Sequence, residues 1–184
     1  MSASPSRLVA LTCHPRTPCG AVSRIVVSIG RKTPEPGISA VDFEFRIDAD
    51  PAALAPFGTA SGRRDGLWQH TCCEAFLADE LGGGYCELNF APSGAWAAYR
   101  FSSYRSGMSA AELPQPPSIR VTRSTTGVSL SASATLSQLL PARRARVGLA
   151  AVIEEANGRL SYWSAHHPAG KPDFHHPDSF RTEI

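Results

Sequence analysis

Trp68, Glu74, Glu87, Asn89, Trp96 and Tyr99 all fall within LWQHTCCEAFLADELGGGYCELNFAPSGAWAAYRF, residues 67 to 101. Indole and phenol rings offer flat apolar faces, and carboxylates and carboxamides offer planar hydrogen-bonding groups. Such types together can hold a saccharide, with rings on its C–H faces and polar groups on its hydroxyls. Arg105 adds donors and Trp163 a further ring. The blander reading is that the tryptophans pack a core and that Glu74 or Glu87 pairs with Arg100 or Arg105. Several polar groups gathered on one face need partners, and this favours the ligand reading.

Other chemistries find less support. The segment HHPAGKPDFHHPD holds His166, His167, Asp173, His175, His176 and Asp178, all of types that bind metals. Neighbouring histidines on an extended chain point apart, and Pro168, Pro172 and Pro177 exclude a helical metal motif. A structural strap is expected instead, closing one end of the ligand face, with Lys171, Asp173 or His175 reaching in. No metal site, cofactor or catalytic residue is expected. Haem would need an axial ligand in an apolar slot; Met108 and the histidines are available, but no CxxCH is present. There is no GxSxG, and Gly82-Gly83-Gly84 reads as a hairpin turn with no following helix to cradle a phosphate. Glu74 and Glu87 as a glycosidase pair remain a minor alternative.

The elements that must position these residues are strands, because side chains alternate between faces along a strand. From Leu67 to Leu77, Trp68, His70, Cys72, Glu74 and Phe76 share one face, and in the next strand Tyr85, Glu87 and Asn89 do so. Further strands are expected over Leu8 to Cys13, Val22 to Ile29, Ala40 to Ile47, Gly84 to Ala91, Ala95 to Phe101, Ile119 to Ser124, Gly127 to Ala134, Val147 to Glu155 and Arg159 to Ala165. Asn157-Gly158 is a strong hairpin signal. Thr135 to Leu140 is the one expected short helix or turn. Thr33 to Gly37 and Leu113 to Pro117, rich in proline, read as surface connections. The expected fold is all-β: one domain over residues 1–184, an antiparallel β-sandwich of about ten strands.

Composition is consistent with this. A chain of 184 residues can bury a core without staples, and its net charge of +2 is scattered, so no nucleic-acid surface is expected. No run of about 18 apolar residues suggests a membrane span. Five cysteines, an odd number, fit reduced thiols, and residues 1 to 18 do not read as a secretory signal, so a cytoplasmic location is expected.

LWQHTCCEAFL, YCELNFAPSGAWAAYRFSSYRSGM, the tail SYWSAHHPAGKPDFHHPDSF and the early LTCHP together resemble the bacterial DOMON-like ligand-binding domains. That family is similar to carbohydrate-binding module family nine and to haem- or sugar-binding DOMON domains. The resemblance implies a β-sandwich holding a ligand, with Trp68 and Glu74 matching an indole and carboxylate that meet a sugar, and Trp163 as the second aromatic. The reading is a non-catalytic binder of a saccharide or sugar-containing metabolite. A haem- or metal-binding module using the C-terminal histidines is one alternative, and a structural or interaction domain without a small ligand is another.

Overall fold

Period-two alternation sets the local structure almost everywhere. In the computed structural model, which describes residues 6–35, 38–79, 84–113, 115–135 and 144–184, Val41, Phe43, Phe45 and Ile47 are buried while Asp42, Glu44, Arg46 and Asp48 face outward. These residues belong to β3 (Ile38–Ala49), which pairs with β2 (Val22–Glu35) and β10 (Gly127–Thr135). The other main strands are β1 (Arg7–Cys13), β5 (Cys72–Asp79), β6 (Tyr85–Phe90), β7 (Ala95–Phe101), β9 (Ser118–Ser124), β11 (Ala145–Glu154) and β12 (Leu160–Ser164). Two-residue strands at Gly62–Arg63 (β4), Ser109–Ala110 (β8) and Thr182–Glu183 (β13) are too short to show a period in the sequence.

Among the described residues the strands follow the order β4-β7-β6-β5-β11-β12-β1-β2-β3-β10-β9, with β8 beside β7 and β13 beside β11. The two-sheet sandwich expected from the sequence is corrected here to one curled, mixed sheet, a half-barrel. The physical reason lies in β1. Its first part, Arg7 to Leu11, pairs with β2, and its end, Thr12 and Cys13, pairs with Ser164 and Trp163 of β12. One strand therefore joins the two halves through continuous backbone hydrogen bonds. The lone parallel contact described, β4 on β7, makes the sheet mixed.

The halves close on a shared core. Phe43 and Phe90 meet with ring centroids 5.8 Å apart, among Val27, Phe45, Leu77, Leu88, Leu130 and Leu149. A second apolar cluster lies on the opposite face of β5, β6, β7 and β11, where the C-terminal segment crosses the sheet. Phe180 stacks on Phe76 at 6.0 Å and lies on the bare backbone of Gly148, where a Cβ would come within 2.5 Å of its ring. Burying Phe174 and Phe180 contributes about 2 kcal/mol each and fixes this strap.

Several expectations shift. Strand β2 continues through Thr33 to Glu35, which were expected as a surface connection. The short helix expected from Thr135 lies outside the described residues except Thr135 itself, the last residue of β10. Of the triple glycine, Gly84 alone is described. Its φ of +106° and the approach of the Phe101 carbonyl, 1.9 Å from where a Cβ would stand, admit no side chain there.

Candidate ligand-binding site

The outward face of β5, β6, β7, β11 and β12 forms the floor of a cavity of about 350 Å³. Register explains its shape. One cross-strand row reads Ala97, Asn89, Glu74 and Ala150, so two alanines flank two polar side chains and leave depth above them. The next row reads Tyr99, Glu87, Phe76 and Gly148. Val152 and Tyr162, cross-strand partners on β11 and β12, line one side, and Phe101 another.

Three irregular segments raise the walls. Trp68 stands on a 3₁₀ turn, Leu67–Gln69, entered through Gly66 at φ +77°. This corrects the expected strand, which starts only at Cys72; Trp68 and Glu74 reach one cavity by different elements. Trp68 packs edge-on against Tyr99, whose hydroxyl donates to Asp65 Oδ1 at 2.8 Å. The second wall is the turn from Ser102 to Ser106, closed by Ser102 N–H donating to the Ser106 carbonyl at 3.0 Å. Arg105 at its tip has φ +52°, a left-handed conformation that costs a non-glycine residue roughly 1 kcal/mol. The third wall is the strap, through Pro172, Phe174 and His175.

Asp173 fastens the second wall to the third. Its Oδ1 accepts from Arg105 Nε at 3.2 Å, from Arg105 Nη2 at 2.8 Å and from the His175 N–H at 3.2 Å, and its Oδ2 accepts from the Tyr104 hydroxyl at 2.5 Å. Burial opposes the charge on Asp173, but the Tyr104 phenol and Arg105 guanidinium outweigh it and hold the carboxyl below its ordinary range. The Arg105 N–H donates to the Tyr85 hydroxyl at 3.2 Å, and that hydroxyl shares a hydrogen bond of 2.8 Å with His175 Nδ1. His175 Nε2 lies 3.8 Å from Glu87 Oε2. Burial, and then Arg105, depress its imidazole to about 4, so this contact is no ion pair at neutral pH.

The carboxylates on the floor are pushed the other way. Burial raises Glu87 to about 7, against a hydrogen bond from Asn89 Nδ2 at 2.8 Å and the charge of Arg105. Burial and the neighbouring Glu87 raise Glu74 well above the carboxylate range. Glu74 Oε1 and Asn89 Oδ1, on cross-strand neighbours, are buried acceptors without a hydrogen-bond partner among the described residues. Such orphans are rare in folded proteins and mark places where a donor is needed.

Of the residues expected at a site, Trp68, Glu74, Glu87, Arg105 and His175 line this cavity, Asn89 and Tyr99 lie beside it on the same face, and Asp173 acts through Arg105. Trp96 and Trp163 correct the expectation: their indoles point into the shared core, and Trp163 Nε1 donates to Ser161 Oγ at 3.0 Å. Lys171 is exposed on the strap and Met108 lines the cavity mouth. Tyr162 and Phe174 were missed. Alternation in β12 carried the signal for Tyr162, since it opposes Trp163 in parity. Among the other strap histidines, His167 Nε2 donates to the Thr12 carbonyl at 2.8 Å, and His176 Nδ1 accepts from the Asp178 N–H at 3.2 Å. Among the described residues, no group of three or more His, Cys, Asp or Glu is placed to hold a metal ion.

Comparison with solved structures bears on the fold. A candidate carbohydrate-binding protein from Bacteroides uniformis ATCC 8492 superposes with a TM-score of 0.56 at 14% identity, over 96% of this chain and 84% of that one. The likeness shows a common fold. A family 9 carbohydrate-binding module from Caldicellulosiruptor kristjanssonii, in complex with cellotriose, gives a TM-score of 0.48 at 13% identity over 90% of this chain and 76% of its own. Its complex with glucose gives 0.46 at 13% identity, over 90% and 78%. No family model matches the chain, and no curated protein matches it in sequence.

Proposed function

We propose that this chain is a non-catalytic, single-domain binding module that holds a saccharide or sugar-containing metabolite in the cavity beside Trp68. One observation carries the reading: the buried, unpartnered Glu74 Oε1 on the floor of a cavity whose rim is aromatic. A sugar ring supplies both complements, hydroxyl donors for the acceptor below and C–H faces for Trp68 and Tyr162 above. Arg105, held rigid by Asp173, orients the ligand from the side. The fold shared with the Bacteroides uniformis candidate carbohydrate-binding protein supports the reading, as does the resemblance to DOMON-like domains.

Binding is favoured over hydrolysis because Glu74 and Glu87 stand side by side on one floor, beneath the ligand. Glycoside hydrolysis needs its two carboxyls to flank the scissile bond. All five cysteines are free thiols, which suits a reducing compartment.

Tryptophan fluorescence tests the proposal, because Trp68 is 38% exposed while Trp96 and Trp163 are 9% and 6% exposed in the core. A panel of mono- and oligosaccharides is expected to include a member that changes the emission saturably, and Trp68→Ala is expected to abolish that change while melting cooperatively. A panel without response, or a response that persists in Trp68→Ala, would overturn it.

A further inference from the structure

The charges around the cavity do not balance. Three carboxyl groups, Glu74 on β5, Glu87 on β6 and Asp173 on the strap, face one guanidinium, that of Arg105. Arg105 is already committed, with Nε and Nη2 both directed at Asp173 Oδ1. His175 adds no positive charge at neutral pH, since burial and then the neighbouring Arg105 keep the ring neutral. The Cys72 thiol near Glu74 is driven up by burial and stays neutral, burial likewise raises the Tyr85 and Tyr99 phenols, and the hydrogen bond to Asp173 raises Tyr104. Among the described residues nothing else on the cavity wall is cationic.

Hydrogen-bonding capacity is equally one-sided. Glu74 Oε1 is an acceptor without a donor, and Glu87 receives its hydrogen bond from Asn89 Nδ2. The missing positive charge must arrive with the ligand or as bound protons. An ammonium group meets this need directly, having three donors and no acceptor. The rings of Trp68, Phe101, Tyr162 and Phe174 around the same space also attract a cation to their faces.

We propose that the cavity selects an amine-bearing sugar in its protonated form, with the ammonium seated between Glu74 and Glu87 under the aromatic rim. This rests on the saccharide reading and narrows it. In the ligand-free protein the two raised carboxyls hold proton, and the ammonium takes that proton's place. Acetylation of the amine removes the charge and two donors, so an N-acetylated sugar loses the interaction.

Isothermal titration with glucosamine, glucose and N-acetylglucosamine at about pH 6.5, below the range in which an α-amino group deprotonates, tests the inference. Glucosamine is expected to bind at least about tenfold tighter than either neutral sugar, about 1.4 kcal/mol. Its binding should release protons, seen as a heat that depends on the ionisation enthalpy of the buffer. Glu74→Gln should bring the three affinities together, with Glu87→Gln as the second variant should the first fail to melt cooperatively. Glucose binding as tightly as glucosamine, or a preference that survives in both variants, overturns the ammonium site and leaves the saccharide reading standing. No binding of any of the three overturns the ammonium site, and a silent response from the wider mono- and oligosaccharide panel overturns the saccharide reading as well.

Discussion

Arg105 donates from Nε and Nη2 to a single oxygen of Asp173, at 3.2 and 2.8 Å. This joins a turn that follows β7 to a strap nearly 70 residues later (|i−j| = 68) and sets the width of the cavity between them. The pair is half in water, with the Arg105 side chain 48% exposed, so its worth is that of a good surface ion pair. Arg105→Ala is expected to lower stability by about 0.5–1 kcal/mol and to weaken saccharide binding through a looser wall. Arg105→Gly should melt above Arg105→Ala, because glycine accepts φ +52° without strain. Denaturant titrations of the two variants check the order.

The strap also depends on a residue with no side chain. A Cβ at Gly148 would meet Phe180 Cδ1 at 2.5 Å, so Gly148→Ala must displace the ring that stacks on Phe76. A loss of about 1–3 kcal/mol is expected from this overpacking, together with weaker ligand binding. Urea unfolding and a saccharide titration of the same variant report both effects.

Much of this cavity could be read from the chain, and the failures have identifiable causes. Glu74, Glu87 and Asn89 were placed on one face correctly, because strict alternation in β5 and β6 leaves only one parity for Cys73, Leu77, Leu88 and Phe90 to form the core. Trp68 joined them through a 3₁₀ turn that period-two reasoning does not anticipate. Trp96 and Trp163 were assigned by ring type, but face is set by parity: Trp96 alternates with Ala98 into the core, and Trp163 leaves its neighbour Tyr162 to the cavity. The half-barrel was not legible, since it arises from β1 pairing with β2 along one part and β12 along another. Register between distant strands has no local signature.

Trp68 and Trp163 should therefore respond differently to substitution. Trp68→Ala is expected to leave the fold intact and remove ligand binding. Trp163→Ala empties a buried site and should cost about 3–5 kcal/mol. Circular-dichroism melts beside ligand titrations separate the two outcomes.

Stability should depend on pH in a definite direction. Glu87 is raised to about 7 from an ordinary value of 4.5, so its contribution is complete below 4.5 and is lost as pH rises through 7; Glu74 is shifted the same way. His175 is depressed to about 4 from 6.5, so its contribution is present above 6.5 and lost as pH falls through 4. The two effects oppose each other between 4.5 and 6.5, and above 6.5 the carboxyls act alone. The protein should lose stability from pH 6.5 upward, by at most about 1.4 kcal/mol per pH unit for each proton released. In Glu87→Gln the loss should shrink, as measured by denaturant midpoints across that window.

The most direct measurement is a crystal structure with a saccharide that alters Trp68 emission. The account predicts a sugar ring against the Trp68 indole with one of its donors within hydrogen-bond distance of Glu74 Oε1. A sugar seated instead on the serine-lined outer face of β2, β3, β10 and β9, with the Trp68 cavity holding none, would contradict it.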